Sequence, residues 1–293
     1  MALNLEGIFP ALTTPFEDTE IALDKLKENI LKYNKHKLSG YVVLGSTGEA
    51  VYVNDEESEL IVKSARETSS PEKKIIVGTA RESTRFTLEF TNRMADLGVD
   101  AALVRTPSYF RAQLDREALK YHFLTLADKS RIPIIIYNIP QNTGVSMDKE
   151  LVVELSIHPQ IIGIKDSSGN LSLPGEILPA VNPQFNYILG AGSLLLPGFL
   201  LGVKGGILTL ADVVPELCVK LFELFREGKM EEAHNLQLSL IPLNKAITRT
   251  YGVPAAKYAM DLVGYYGGPP RSPLRPLDEK EKQTIRELVE KLQ

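Results

Sequence analysis

Residues Pro133–Lys165 read PIIIYNIPQNTGVSMDKELVVELSIHPQIIGIK. Two unbroken apolar runs, Pro133–Tyr137 and Ile161–Lys165, flank a segment of helical character, Lys149–Ser156. A strand with one wet face alternates apolar and polar residues. A strand covered on both faces is apolar throughout, as in parallel sheets. The stretch therefore predicts a strand–helix–strand unit. The same alternation extends in both directions. Toward the N-terminus lie the runs Gly7–Leu12, Gly40–Leu44, Lys74–Val77 and Ala101–Val104, and toward the C-terminus Tyr187–Leu189 and Gly205–Leu208. Helical patterns at Leu23–Tyr33, Asp55–Glu67, Thr84–Leu97 and Arg116–Ser130 separate the earlier runs. Eight strands alternating with helices predict an α/β fold, the (β/α)8 or TIM barrel. A doubly wound open sheet is the rival, but no Gly-x-Gly-x-x-Gly follows the first run. Asn54 before the acids 55–57, and Ser83 before Thr84, are expected helix caps.

Past the eighth run the pattern changes. Pro215–Glu227, Met230–Tyr251 and Ala255–Val263 read as helices, followed by the Gly/Pro-rich stretch Gly264–Pro276 and a charged amphipathic helix, Asp278–Leu292. The expected organisation is a barrel over residues 1–214 and a helical extension over 215–293 packed on it. No repeat or low-complexity linker marks a second independent domain.

The chain has 293 residues, 44% hydrophobic and 24% charged, with a net charge of −4. That is the profile of a globular chain able to bury a large core. With no basic stripe, nucleic acid is not an expected partner; a small molecule is. No apolar run approaches the roughly 18 residues of a membrane span, and no signal or transit pattern precedes Gly7. A cytoplasmic protein is expected, or a mitochondrial matrix protein whose leader is missing. The lone Cys218 sits in an apolar helical run and reads as core. His36, His122, His158 and His234 lack metal-ligand spacing, so no metal site is expected.

Chemistry in such a barrel gathers at the C-terminal ends of the strands. Lys165 closes a fully apolar run. Desolvation there would favour the neutral amine, the nucleophile that Schiff-base chemistry needs. Equally, it could cap the strand and snorkel to water or pair with Asp166. Tyr137 closes the preceding run; its phenol could exchange protons with a substrate or simply pack beneath a loop. Gly45-Ser46-Thr47-Gly48-Glu49 follows the second run, and its hydroxyls and N–H groups could hold a carboxylate. Glu49 is expected to brace that loop. Arg105 interrupts an apolar run, either to reach a distal carboxylate or, more simply, to form an ion pair.

Taken together, Gly45–Glu49, Thr106-Pro107-Ser108-Tyr109-Phe110, Tyr137-Asn138-Ile139-Pro140 and Gly163-Ile164-Lys165-Asp166-Ser167 resemble, in order and spacing, the dihydrodipicolinate synthase/N-acetylneuraminate lyase superfamily of class I aldolases. The resemblance runs from about Ile8 to Leu277. It implies that Lys165 forms the Schiff base and that Tyr137 is the proton donor and acceptor. It also implies that Ser46 carries a proton relay, that Thr47 helps bind the carboxylate, and that Tyr109 completes the relay across a subunit interface. A homotetramer built as a dimer of dimers is the implied assembly, with no cofactor. Asn142, Ser167 and Gly190 are candidates for the distal end of the substrate.

Within the superfamily, Asn142-Thr143-Gly144, Asp166-Ser167-Ser168-Gly169 and the tail Gly264-Tyr265-Tyr266-Gly267-Gly268-Pro269 resemble the 4-hydroxy-2-oxoglutarate aldolase branch. Dihydrodipicolinate synthases usually carry an Arg where Asn142 stands, and animal members of the aldolase branch usually carry Asn where Thr47 stands. The expected reaction is cleavage of 4-hydroxy-2-oxoglutarate to pyruvate and glyoxylate. The alternatives are a 2-keto-3-deoxy sugar acid aldolase or dehydratase, a dihydrodipicolinate synthase, or a non-catalytic 2-oxo acid sensor or scaffold.

Overall fold

The computed structural model describes residues 3–292. Eight parallel strands form one sheet: β1 (Gly7–Pro10), β2 (Gly40–Val43), β3 (Lys74–Gly78), β4 (Ala101–Arg105), β5 (Ile134–Asn138), β6 (Ile161–Asp166), β7 (Asn186–Leu189) and β8 (Gly205–Leu208). From β2 to β8 each pairs with its sequence neighbour, and β1 pairs with β8. A parallel bridge between Ala11 and Val42 closes the ring, with the Leu12 N–H donating to the Val42 carbonyl at 2.9 Å. The architecture is the expected TIM barrel. A two-stranded hairpin, Phe16–Glu17 with Glu20–Ile21, was not legible as strand in the sequence.

The strands bury two separate sets of side chains. Phe9, Val42, Ile76, Leu103, Ile135, Ile188 and Ile207 fill the barrel interior. Their neighbours along the strands, such as Ile8, Val43, Ile75, Ile134 and Ile136, pack outward against the helices. This double burial is why the runs lack alternation.

One irregularity decides where the lysine points. Along β5 and β6, Ile134 pairs with Ile161 but Ile135 pairs with Gly163, so Ile162 is an extra residue. An extra residue reverses the facing of everything after it. Ile162 joins the interior and Ile164 the exterior, and Lys165 comes into register with the inward-facing Tyr137. Gly163 permits the bulge, since a Cβ there would lie 2.3 Å from the Asn186 carbonyl oxygen.

The helices that cover the barrel begin where the sequence signals them: α1 (Leu23–Tyr33), α2 (Asp55–Thr68), α3 (Thr84–Asp96), α4 (Arg116–Lys129) and α5 (Lys149–Leu155). Asn54 forms a reciprocal capping box with Glu57, and Ser83 caps α3. Pro215–Arg226 packs against β1 and against the helix Leu195–Leu200, in the place of a barrel helix. Beyond it, Met230–Lys245 ends in a wide π turn, Ala246–Thr250, where a continuous helix to Tyr251 was expected. Val253–Leu262, the coil after it and Glu279–Glu290 complete the chain. This last part is tied to the barrel: Tyr265 stacks on Tyr33 at 4.4 Å between centroids, and Tyr266 exchanges two hydrogen bonds with Asn29.

Candidate active site

Lys165 and Tyr137 meet inside the barrel at the C-terminal ends of β6 and β5. The Lys165 amine lies 4.2 Å from the centroid of the Tyr137 ring. Both side chains are buried. Lys165 is not paired with Asp166. That carboxylate turns outward and accepts from Asn138 Nδ2 (2.7 Å), the Ser168 hydroxyl (2.9 Å) and the Tyr187 hydroxyl (3.1 Å). Asp166 therefore fixes the β6 turn and leaves the amine free of that neighbour.

Gly190, after β7, lies against Ser167 and, less tightly, against the lysine. A Cβ there would come within 1.9 Å of Ser167 Oγ and 3.1 Å of Lys165 Cε. Ser167, Gly190 and Lys165 thus share one wall.

The loop after β2 is held in an unusual conformation. Leu44 and Glu49, at its two ends, both adopt left-handed backbone (φ 55° and 54°), which costs a non-glycine residue of order 1 kcal/mol or more. Several contacts impose it. Gly78 lets the backbone pass, since a Cβ there would be 1.9 Å from the Leu44 carbonyl. The Thr14 hydroxyl donates to the Gly48 carbonyl at 2.6 Å. Glu49 is buried, with Oε1 2.6 Å from Lys257 Nζ and Oε2 accepting the Arg271 N–H at 2.8 Å. The loop so fixed presents Ser46 to the cavity. It also holds Thr47 against Thr209, whose hydroxyls share a 2.7 Å hydrogen bond.

Ser46 and Tyr137 border a cavity of 590 Å³, walled also by Asn142, Glu82 and Arg105 among others. The size suits a small metabolite. Arg105 forms the expected ion pair, to Glu82 at 3.0 Å. Tyr109 is not on the cavity wall; it stands 79% exposed, edge-on to Phe110. Within one chain the structure thus brings together Lys165, Tyr137, Ser167 and Gly190, places Ser46 and Asn142 on the cavity wall, holds Thr47 buried against Thr209, and leaves Tyr109 outside.

Three residues were missed in the sequence. Thr209 directly follows the eighth apolar run, and its position alone could have flagged it. Glu82 gave no signal. Asp212 is fully buried with neither carboxylate oxygen hydrogen-bonded. Burial pushes its carboxyl well up, against the opposing influence of Lys165. The other titratable candidates are structural. His122 bonds Thr84 at 2.8 Å and burial pushes it down to about 4, and Cys218 is buried with its thiol pushed up by burial. Among the described residues no group of three or more His, Cys, Asp or Glu could hold a metal, and no helix is long and apolar enough to cross a membrane.

Comparison with known proteins agrees with this geometry. Residues 4–292 match the model of the dihydrodipicolinate synthetase family. The chain is 35% identical over 288 residues to the 4-hydroxy-tetrahydrodipicolinate synthase of Methanoculleus marisnigri, covering 97% of this chain and 98% of that one. It is 32% identical over 296 residues to the enzyme of the same name from Methanopyrus kandleri, covering 100% and 98%. Among solved structures, it superposes on a dihydrodipicolinate synthase of Bacillus anthracis with a TM-score of 0.94, 25% identity and 98% coverage of each chain. It also superposes on the E. coli K12 prophage protein YagE, solved in complex with pyruvate, with a TM-score of 0.92, 26% identity and 98% coverage of each.

Proposed function

The chain belongs to the dihydrodipicolinate synthetase family and is an enzyme of the class I aldolase type; from that premise we propose that Lys165 forms an imine with pyruvate, or with a 2-oxo acid that contains it. The observation that carries the proposal is the buried Lys165 amine 4.2 Å over the ring of Tyr137, which shares a cavity wall with Ser46.

The amine attacks the C2 ketone and water leaves, giving an iminium that acts as an electron sink. In the cleavage direction Tyr137 takes the proton of the C4 hydroxyl and the C3–C4 bond breaks. The aldehyde departs, C3 of the enamine is protonated, and water hydrolyses the imine to release pyruvate. In the condensing direction the enamine attacks an incoming aldehyde and Tyr137 returns the proton. Ser46 and Tyr109 pass protons between Tyr137 and solvent. Tyr109 does so from a neighbouring subunit, which its exposure on the rim of its own chain favours. A dimer is the minimum assembly for this role, and a tetramer the proposed one. Thr47 and the N–H groups of its loop hold the C1 carboxylate, and Asn142, Ser167 and Gly190 face the distal end.

Two partners for the enamine are favoured by different observations. The relatives named above make 4-hydroxy-tetrahydrodipicolinate, whose carbon count beyond pyruvate corresponds to aspartate 4-semialdehyde. This reading has the stronger support. Asn142 on the cavity wall, in the Asn142-Thr143-Gly144 segment that resembles the 4-hydroxy-2-oxoglutarate aldolase branch and where dihydrodipicolinate synthases usually carry an Arg, favours glyoxylate and 4-hydroxy-2-oxoglutarate. The test begins with borohydride reduction in saturating pyruvate and peptide mapping. A stable adduct on Lys165, absent in Lys165→Ala, is expected; no adduct on any lysine of the folded protein refutes the imine. Turnover is then compared for pyruvate plus aspartate 4-semialdehyde and for 4-hydroxy-2-oxoglutarate. Tyr137→Phe should still be trapped while kcat falls roughly 10²-fold or more.

A further inference from the structure

Glu82 lies in the loop after β3, on the wall of the cavity, and takes no part in the chemistry above. Its carboxylate is nonetheless a point of convergence. Oε2 accepts the backbone N–H groups of Ser108 (2.8 Å) and Tyr109 (2.9 Å). Oε1 accepts the Ser108 hydroxyl (2.9 Å) and pairs with Arg105 Nη2 (3.0 Å). Arg105 Nη1 in turn donates to the Thr106 carbonyl at 2.9 Å. Two successive N–H groups aimed at one anion form a small anion-binding nest.

Within one chain, the tip of the loop they hold packs on neither core cluster among the described residues. Tyr109 and Phe110 are 79% and 70% exposed, belong to neither core cluster and touch each other edge-on. An exposed tip without buried apolar anchors is the kind of segment that opens locally at little cost. Glu82 is also unsuited to act as a base. Burial alone would raise its carboxyl, but the Ser108 and Tyr109 N–H groups, the Ser108 hydroxyl and Arg105 outweigh that and hold it at about 2.

We infer that Glu82 is a positioning residue for Tyr109: its carboxylate locks the Thr106–Phe110 loop in the conformation that carries the phenol to the proton path. The inference rests on the relay role of Tyr109 proposed above. Glutamine is the telling substitution. It keeps the size, but one carbonyl oxygen cannot accept all four donors, and its NH2 would face the same N–H groups.

The experiment uses the full chain and three variants, Glu82→Gln, Tyr109→Phe and the double variant. Each is assayed for imine trapping with pyruvate, for kcat and KM with the better of the two substrate systems, and for mass by light scattering. Glu82→Gln should be trapped like the parent, keep its KM for pyruvate, and lose roughly tenfold or more in kcat. The double variant should be no slower than Tyr109→Phe, because both changes remove one function. Parent-like kcat in Glu82→Gln with an impaired Tyr109→Phe overturns the positioning role and leaves the relay standing. Losses that multiply in the double variant, or a Glu82→Gln defect explained by a smaller particle and reversed at high protein concentration, also overturn it. A parent-like Tyr109→Phe removes the relay reading itself, and the inference with it.

Discussion

Removing the charge of Lys257 with Lys257→Met tests how the Ser46–Thr47 loop is held. Lys257 sits in the helix Val253–Leu262, its side chain fully buried, with Nζ 2.6 Å from Glu49 Oε1. Nζ also donates to the Pro269 carbonyl at 2.8 Å and lies 4.4 Å from the Phe16 ring centroid. Methionine fills a similar volume against Phe16 but leaves the Glu49 carboxylate buried with only the Arg271 N–H as donor. Stripping one partner from a buried pair costs about 3–5 kcal/mol, most of it the unpaired charge. That is a loss of roughly 10²- to several 10³-fold in the folding equilibrium. Urea unfolding should show a lower midpoint with an unchanged slope. Neutralising both partners in Glu49→Gln/Lys257→Met should recover most of the loss, since an uncharged pair leaves no orphaned ion. A single variant within about 1 kcal/mol of the parent, or a double variant worse than the single, would refute the reasoning.

Two further outcomes follow from the site. The Asp212 carboxyl is raised by burial, so the folded state keeps a proton that the unfolded chain releases near its ordinary value of about 3.9. Stability should therefore fall as pH rises from there toward the raised folded value. Asp212→Asn should flatten that slope and raise Tm at pH 7; an unchanged Tm–pH profile contradicts it. Gly190→Ala should cut turnover and borohydride trapping severely while the far-UV spectrum stays native, because the methyl displaces Ser167 and crowds Lys165 Cε; normal trapping would show that the wall yields.

The barrel was legible because its strands are dry on both faces. All eight apolar runs became strands, with ends shifted by only a few residues, as at Asp166 rather than Lys165. The caps at Asn54 and Ser83 were legible because capping is local. The strand ends also pointed to Lys165 and Tyr137. Contacts distant in sequence were invisible. Lys257 reads as one more helical lysine, and only the fold brings it to Glu49, more than two hundred residues away. Glu82 reads as a loop acid until the Tyr109 loop is laid across it. The turn at Ala246–Thr250 was hidden because a π turn has nearly the composition of the α-helix it continues.

The bulge at Ile162 separates two properties that usually travel together. Drawing Ile162 into the ladder opposite Ile135, with no residue bulged, would leave the strand as hydrophobic as before and the barrel's helices untouched. Every side chain after it would then face the opposite way. The lysine would be driven toward the helix layer and its outward neighbour Asp166 into the pocket, exchanging a nucleophile for an acid at the centre of the site. Hydropathy would register almost no change. Descendants of this barrel can therefore keep the lysine, the tyrosine and the apolar run letter for letter and still be inert, through a change of parity alone.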